Sequence, residues 1–204
     1  RDYSKTQSYL AGLDLEMART AASVDPKRRV RQLHWGGGTP TYLNPDDIRR
    51  LMAMMRKYFT LTDDAEISCE VDPRELTFEH LAALRESGFN RLSFGVQDMD
   101  PDVQQAVNRI QSEFLIRQVL DWSRELGFSS INLDLIVGLP KQTVDSFRRT
   151  LDRVAVWAPD RLAVFGYAHV PWMKKHQKLI NEAELPDSAM RLGLQQAVNE
   201  TLGA

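Results

Sequence analysis

Cysteine is almost missing from this chain: Cys69 is the single one among 204 residues. One thiol cannot build an internal disulfide framework, and it fits a reducing, cytoplasmic setting. Zinc-binding patterns are lacking as well. The four histidines (His34, His80, His169, His176) are scattered and none sits in a His-Glu-x-x-His or Cys/His spacing, so no metal ligand is assigned. Neither sign of charge dominates: 26 basic residues against 28 acidic ones leave −2, with the signs interleaved. A nucleic-acid partner would call for a basic stripe, so none is expected. No apolar run is long enough for a transmembrane helix or a signal peptide, and no membrane partner is expected. Ser68 and Ser93 have no G-x-S-x-G context, and no catalytic residue is assigned.

What is present is a regular alternation. With 43% apolar residues, 204 positions suffice for one domain, 1–204, with a real core. Tyr9, Leu10, Leu13, Met17 and Ala21 recur at helical spacing, predicting a helix from about Tyr3 to Ala22. Strands are expected at Val30–Trp35, Ala65–Val71, Arg91–Gln97, Ile131–Val137 and Arg161–Tyr167. Between them, Ile48, Leu51, Met52, Met55 and Phe59 mark a helix face. Phe78–Ser87 reads as a helix with Thr77 as N-cap and Gly88 as its stop. Further helices are expected from Pro101 to about Asn108, from Ser112 to Leu126, from Thr143 to Trp157, and from near Pro186 onward. Strand and helix in strict turn mean a parallel sheet with right-handed crossovers, either doubly wound or part of a TIM-like barrel. Five strands are too few for a closed barrel of eight.

In either architecture, function collects where strands end. The first strand runs into Trp35-Gly36-Gly37-Gly38-Thr39-Pro40, followed by an Asn44-Pro45 helix cap. Three glycines leave bare backbone that can approach a ligand closely. The loop lacks the Lys of a Walker A motif and the spaced third Gly of the dinucleotide fingerprint. The other strand ends carry Glu70 and Asp72, Gln97 and Asp98, Asp134, and Tyr167-Ala168-His169. Structural roles compete: Glu70 as a cap, Asp134 paired with a Lys or Arg, Gln97-Asp98 capping the helix at Pro101. Five ends of five behaving alike favour a ligand rim. His80 is expected to be exposed on its helix and His34 to be a satisfied core residue. Cys69 points away from its neighbour Glu70, as a small buried residue and not a nucleophile.

The segments WGGGTPTYL, EISCEVDPRELT, FNRLSFGVQDMDPDVQQAVNRIQ, INLDLIVGLPKQT and DRLAVFGYAHVPW together closely resemble oxygen-independent coproporphyrinogen III oxidase, a radical S-adenosylmethionine (SAM) family. The resemblance runs in order along essentially the whole chain. It implies an α/β fold, a partial TIM-like (β/α)₆ barrel holding a 4Fe–4S cluster and SAM. The cluster reduces SAM, and the resulting radical removes hydrogen from a propionate of coproporphyrinogen III. Decarboxylation at two propionates then gives protoporphyrinogen IX. It further implies an electron donor, a cytoplasmic monomer, and contacts from Gly37 and Glu70 to cluster-bound SAM. Gly38, Thr39, Gln97, Arg109, Asp134 and Ala168 match the family's second SAM site. Two alternatives stand beside the oxidase: a related radical SAM haem-binding chaperone, and a cluster-free α/β binding module. Lys174, Lys175 and His176 are candidate partners for substrate carboxylates, or a solvated basic turn.

The family's Cys-x-x-x-Cys-x-x-Cys cluster motif has no counterpart here. The chain is therefore expected to be the body of the radical SAM core, beginning past that motif, without its first strand and stopping before the C-terminal portion. A cluster of this kind needs several thiolates. These 204 residues, reconstituted with iron and sulfide, are expected to show no stoichiometric cluster band in the visible spectrum and no radical activity; a full band would overturn this.

Overall fold

The computed structural model describes residues 3–203. Five parallel strands lie in the sheet order β1-β2-β3-β4-β5: β1 Val30–Trp35, β2 Leu61–Val71, β3 Arg91–Gln97, β4 Ser130–Val137 and β5 Arg161–Gly166. Helices α1 (Thr6–Ala22), α2 (Pro45–Tyr58), α3 (Phe78–Glu86), α4 (Pro101–Ala106), α5 (Glu113–Glu125), α6 (Val144–Trp157) and α7 (Ser188–Leu202) occupy the intervals. The chain forms two compact units. One runs to Ser93 and takes in Asp121–Ser130; the other holds Phe94–Leu120 and the chain from Ile131 onward.

In the first unit, β1 and β2 pair with His34 opposite Ser68 and Trp35 opposite Cys69. Side chains alternate across a strand, so His34, Ser68 and Glu70 share one face while Leu33, Trp35, Ile67 and Cys69 share the other. The second face is the core side. Trp35 stands edge-on to Phe89 with ring centroids 4.7 Å apart, and its indole N–H points at the Met55 sulfur of α2 at 3.3 Å. Asn44 caps α2 as its spacing predicts, accepting from the Asp47 N–H at 2.8 Å. Gly88, at φ +98°, ends the α3 turn. Asn90 then pins the middle of β2. Its side-chain oxygen accepts from Ile67 N–H at 2.9 Å and its amide donates to Ala65 C=O at 2.8 Å.

Boundaries depart from the sequence reading in a few places. β2 begins four residues earlier, at Leu61, and Val30 N–H reaches Thr60 C=O at 2.8 Å. His80 is buried, 6% exposed, where exposure was expected. The Thr77 hydroxyl meets its Nδ1 at 2.9 Å, which satisfies the ring and diverts Thr77 from side-chain capping of α3. On α1, only Leu10 of the expected apolar stripe is buried. Tyr9, Leu13 and Met17 instead line a cavity of about 780 Å³ shared with Trp35, Leu51 and Met55.

In the second unit, β4 and β5 pair from Asn132–Arg161 to Val137–Gly166. Thr143 and Ser146 form the reciprocal capping box of α6, at 3.1 Å and 3.0 Å. The cap of α4 is Asp100, accepting from Asp102 N–H and Val103 N–H, and not the Gln97-Asp98 pair. Asp98 is 1% exposed and has different work. It accepts from Asp100 N–H (2.9 Å), the Thr150 hydroxyl (2.7 Å) and the Gln142 amide (2.6 Å). Burial pushes its carboxyl above the usual range, and these donors pull the other way.

Replacing Asn90 with Ala strips partners from two backbone groups of β2. The expected loss is about 2 kcal/mol of stability, read as a fall in Tm of roughly 5 °C. An unchanged Tm would show that water replaces both bonds.

Candidate functional site

The glycine loop after β1 is shaped by what its glycines lack. A Cβ on Gly36 would stand 2.7 Å from His34 Nε2 and 3.0 Å from Glu70 Oε1, so this position admits no side chain while those two groups stay in place. Gly37 adopts φ +103°, in the region closed to most L-residues, and space around its missing Cβ is open. Gly38 is also open, with no positive φ. The Gly37 N–H donates to Glu70 Oε2 at 3.1 Å. Glu70 Oε1 lies 3.4 Å from His34 Nε2, and His34 Nδ1 lies 2.8 Å from the Ser68 hydroxyl. Three residues from two adjacent strands and Gly37 of the loop therefore form one connected polar line.

His34 is accordingly satisfied, as its strand setting suggested, but it is not a core residue: its side chain is 53% exposed. The parity of β1 explains this, since Leu33 and Trp35 hold the core face and His34 takes the opposite one. Within this unit the structure brings Gly37 and Glu70 into contact and leaves Gly38 and Thr39 exposed beside them. A carboxylate holding one backbone N–H keeps lone pairs for a ligand's amino group. The bare backbone at Gly37 and Gly38 admits close approach. Together they suit a ligand that carries an ammonium group.

The second unit holds Gln97, Arg109, Asp134 and Ala168. Gln97 stands at φ 69°, and a Cβ on Gly95 would meet Gln97 Nε2 at 2.7 Å and Arg109 Nη2 at 2.9 Å. Gln97 and Arg109 thus converge over a glycine that leaves them room. Arg109 also donates to Gly95 C=O at 2.9 Å. Asp134 accepts from the Asn132 amide at 2.7 Å. Ala168 is exposed, and its C=O accepts from Gln177 at 3.0 Å, while Gln177 takes the Val170 N–H at 2.6 Å. Next to it the Tyr167 hydroxyl meets His169 Nδ1 at 3.1 Å, and His169 Nε2 meets Glu182 at 3.1 Å. Burial raises the Tyr167 hydroxyl above its ordinary range, with Arg191 partly offsetting it.

Sequence reasoning overlooked the supporting residues. Gln104, Gln111, Gln142 and Gln177 are each at most 8% exposed, and each binds backbone near a strand end. Gln111, for example, donates to both Gly95 and Val96 C=O at 3.1 Å. Strand parity could have placed His34, Ser68 and Glu70 on one face; nothing in local composition marks the glutamines.

The described residues do not fit an iron–sulfur cluster. Cys69 is fully buried, burial and the neighbouring Glu70 push its thiol up, and it gives its S–H to Glu70 C=O at 3.4 Å. Among the described residues no group of three His, Cys, Asp or Glu side chains could hold a metal ion. No helix among them is long and apolar enough to cross a membrane.

Glycine loop, carboxylate and parallel β/α units define a radical SAM core: the chain belongs to the Radical SAM superfamily, whose model matches residues 8–154. Its fold is the α/β arrangement of an incomplete TIM-like barrel. More particularly, it is 50% identical over 196 residues to the oxygen-independent coproporphyrinogen III oxidase of Salmonella typhimurium, covering 96% of this chain and 43% of the relative. The Pseudomonas aeruginosa enzyme of that name is 45% identical over 206 residues, 45% of its length. The solved Escherichia coli coproporphyrinogen III oxidase, a radical SAM enzyme, matches all of this chain with a TM-score of 0.95 at 50% identity, over 46% of its own length. The chain thus spans less than half of the relatives it matches. A cobalamin-bound radical SAM methyltransferase of Kitasatospora setae shares the fold at 13% identity and a TM-score of 0.62.

Gly37 and Gly38 separate the loop's two constraints. Alanine at Gly37 must take a strained positive φ, a cost of about 1–2 kcal/mol, whereas Gly38→Ala is expected to leave thermal stability unchanged. Equal melting curves for both variants would refute the assignment of strain to Gly37.

Proposed function

We propose that this chain is the SAM-binding part of an oxygen-independent coproporphyrinogen III oxidase. The protein containing it would oxidatively decarboxylate coproporphyrinogen III to protoporphyrinogen IX. One observation carries the reading: identity of 44–51% to relatives bearing that single name runs through nearly the whole chain. The segments quoted from the sequence, including VDPRE, GLPKQT and YAHVPW, fall within it.

In this reading Gly37 and Glu70 receive the amino-acid end of SAM. Glu70 offers a carboxylate already fixed to the loop, and Gly37 offers backbone that no Cβ shields. When bound, SAM supplies the hydrogen-removing chemistry of the class. Gly38, Thr39, Gln97, Arg109, Asp134 and Ala168 serve a second SAM. The Arg109 guanidinium suits a carboxylate and the Asp134 carboxylate suits hydroxyl or ammonium donors. No cluster-dependent step is assigned to these residues, because Cys69 cannot serve as a ligand set. Cluster ligands and an electron donor would be contributed from beyond these 204 residues, in a cytoplasmic monomer. Lys174, Lys175 and His176, all exposed after β5, are available to substrate carboxylates.

Support for the Glu70 role would come from the complete enzyme, assayed anaerobically with SAM, a reductant and coproporphyrinogen III. Glu70→Ala is expected to weaken SAM binding about tenfold or more, by loss of a charge-assisted contact, and to lower turnover. Unchanged affinity and turnover would remove Glu70 from the site, and absence of decarboxylation by the unaltered enzyme would sink the activity itself.

A further inference from the structure

We propose that His34, steadied by Ser68, is a positioning residue that holds the Glu70 carboxylate in its ligand-receiving orientation. Glu70 is 46% exposed on its side chain, and a free glutamate at such a site samples several rotamers. Here both of its oxygens are engaged from the protein side. Oε2 takes the Gly37 N–H at 3.1 Å, and Oε1 faces His34 Nε2 at 3.4 Å. An ionised carboxylate only accepts, so Nε2 is the donor and carries the proton. In the neutral imidazole Nδ1 accepts, and the Ser68 hydroxyl stands 2.8 Å from it, closer than the Leu33 C=O at 3.5 Å to which it can also donate.

With a neutral imidazole the line runs from Ser68 to His34, from His34 to Glu70, and from Gly37 to Glu70. Register places His34 directly opposite Ser68 on adjacent strands, so the imidazole is anchored by backbone pairing and not by a loop. Gly36 completes the device. Its absent Cβ would fall 2.7 Å from Nε2 and 3.0 Å from Oε1, in the gap where the ring and the carboxylate meet. A ligand ammonium arriving at the loop finds an acceptor whose ordering cost is already met. Ligand binding in this inference rests on the reading of Gly37 and Glu70 as SAM contacts; the clamp itself does not.

Two readouts on the ¹⁵N-labelled chain separate the two. The Gly37 amide resonance reports its bond to the carboxylate without any ligand, and calorimetric titration with SAM reports affinity. In His34→Ala the Gly37 amide is expected to shift upfield and exchange faster, and the SAM Kd to rise about five- to twentyfold, as for loss of a bond to a charged group. His34→Gln keeps an N–H near the Nε2 position and is expected to restore both to within about twofold. In a Glu70→Ala background, His34→Ala is expected to add nothing. A Gly37 amide indifferent to His34, or effects of His34→Ala and Glu70→Ala that multiply independently, would overturn the proposal. Should the complete enzyme bind no SAM, the SAM reading fails while the Gly37 resonance still decides the clamp. Ser68→Ala gives a smaller change in the same direction and serves if His34→Ala does not fold.

Discussion

The carboxylate of Glu70 reaches back from one strand to the backbone of the loop that ends its neighbour. Gly36, having no side chain, leaves room for that reach. Gly36 sits between His34 and Glu70, and any Cβ there would occupy the space in which they meet. The loop's positive-φ turn at Gly37 then presents its N–H to the carboxylate and leaves the outer side of the loop open. Glycine is commonly explained by flexibility. In this loop the three glycines have three separate grounds: one makes room for neighbours, one permits a turn, and one meets neither demand.

The second unit solves the related problem of holding strand ends with a different residue. Where a parallel strand stops, its last carbonyl and amide groups lose their partners, and each buried one left unpaired costs stability. Gln111 and Gln142 take up carbonyl groups in the last residues of β3 and β4, and Gln177 takes up groups just after β5, each from a buried position. Gln142 and Gln177 each donate and accept at once, while Gln111 donates to two carbonyls. Asp98 extends the arrangement, tying Gln142 and Thr150 to the turn before α4. The rim residues Gln97, Arg109 and Ala168 are thus mounted on backbone that is pinned from beneath.

Much of this was legible in the sequence. Periodicity and turn residues located every strand within a few positions, because a buried parallel strand and an amphipathic helix impose different apolar spacings. The three-glycine loop and Glu70 were legible as neighbours from their places at the ends of adjacent strands. What escaped was pairing. His34 is one residue in a strand whose face depends on its register with β2, and Ser68 gains meaning only opposite it. His80 was misjudged because a Thr three residues earlier satisfies its ring, which lets a polar side chain be buried. The apolar stripe of α1 was read correctly as a stripe. Its burial was not, since burial depends on what packs against Tyr9, Leu13 and Met17.

The burial of Cys69 has a use beyond its structural one. In these 204 residues the single thiol is sealed in the core and held in its protonated form, so their surface presents no native nucleophilic sulfur. A cysteine introduced at Thr39 or Ala168 would be the sole accessible thiol. Spin labels or fluorophores could then be attached at the rim of either unit without first removing a native residue, and movements of the loop could be followed in the unaltered background.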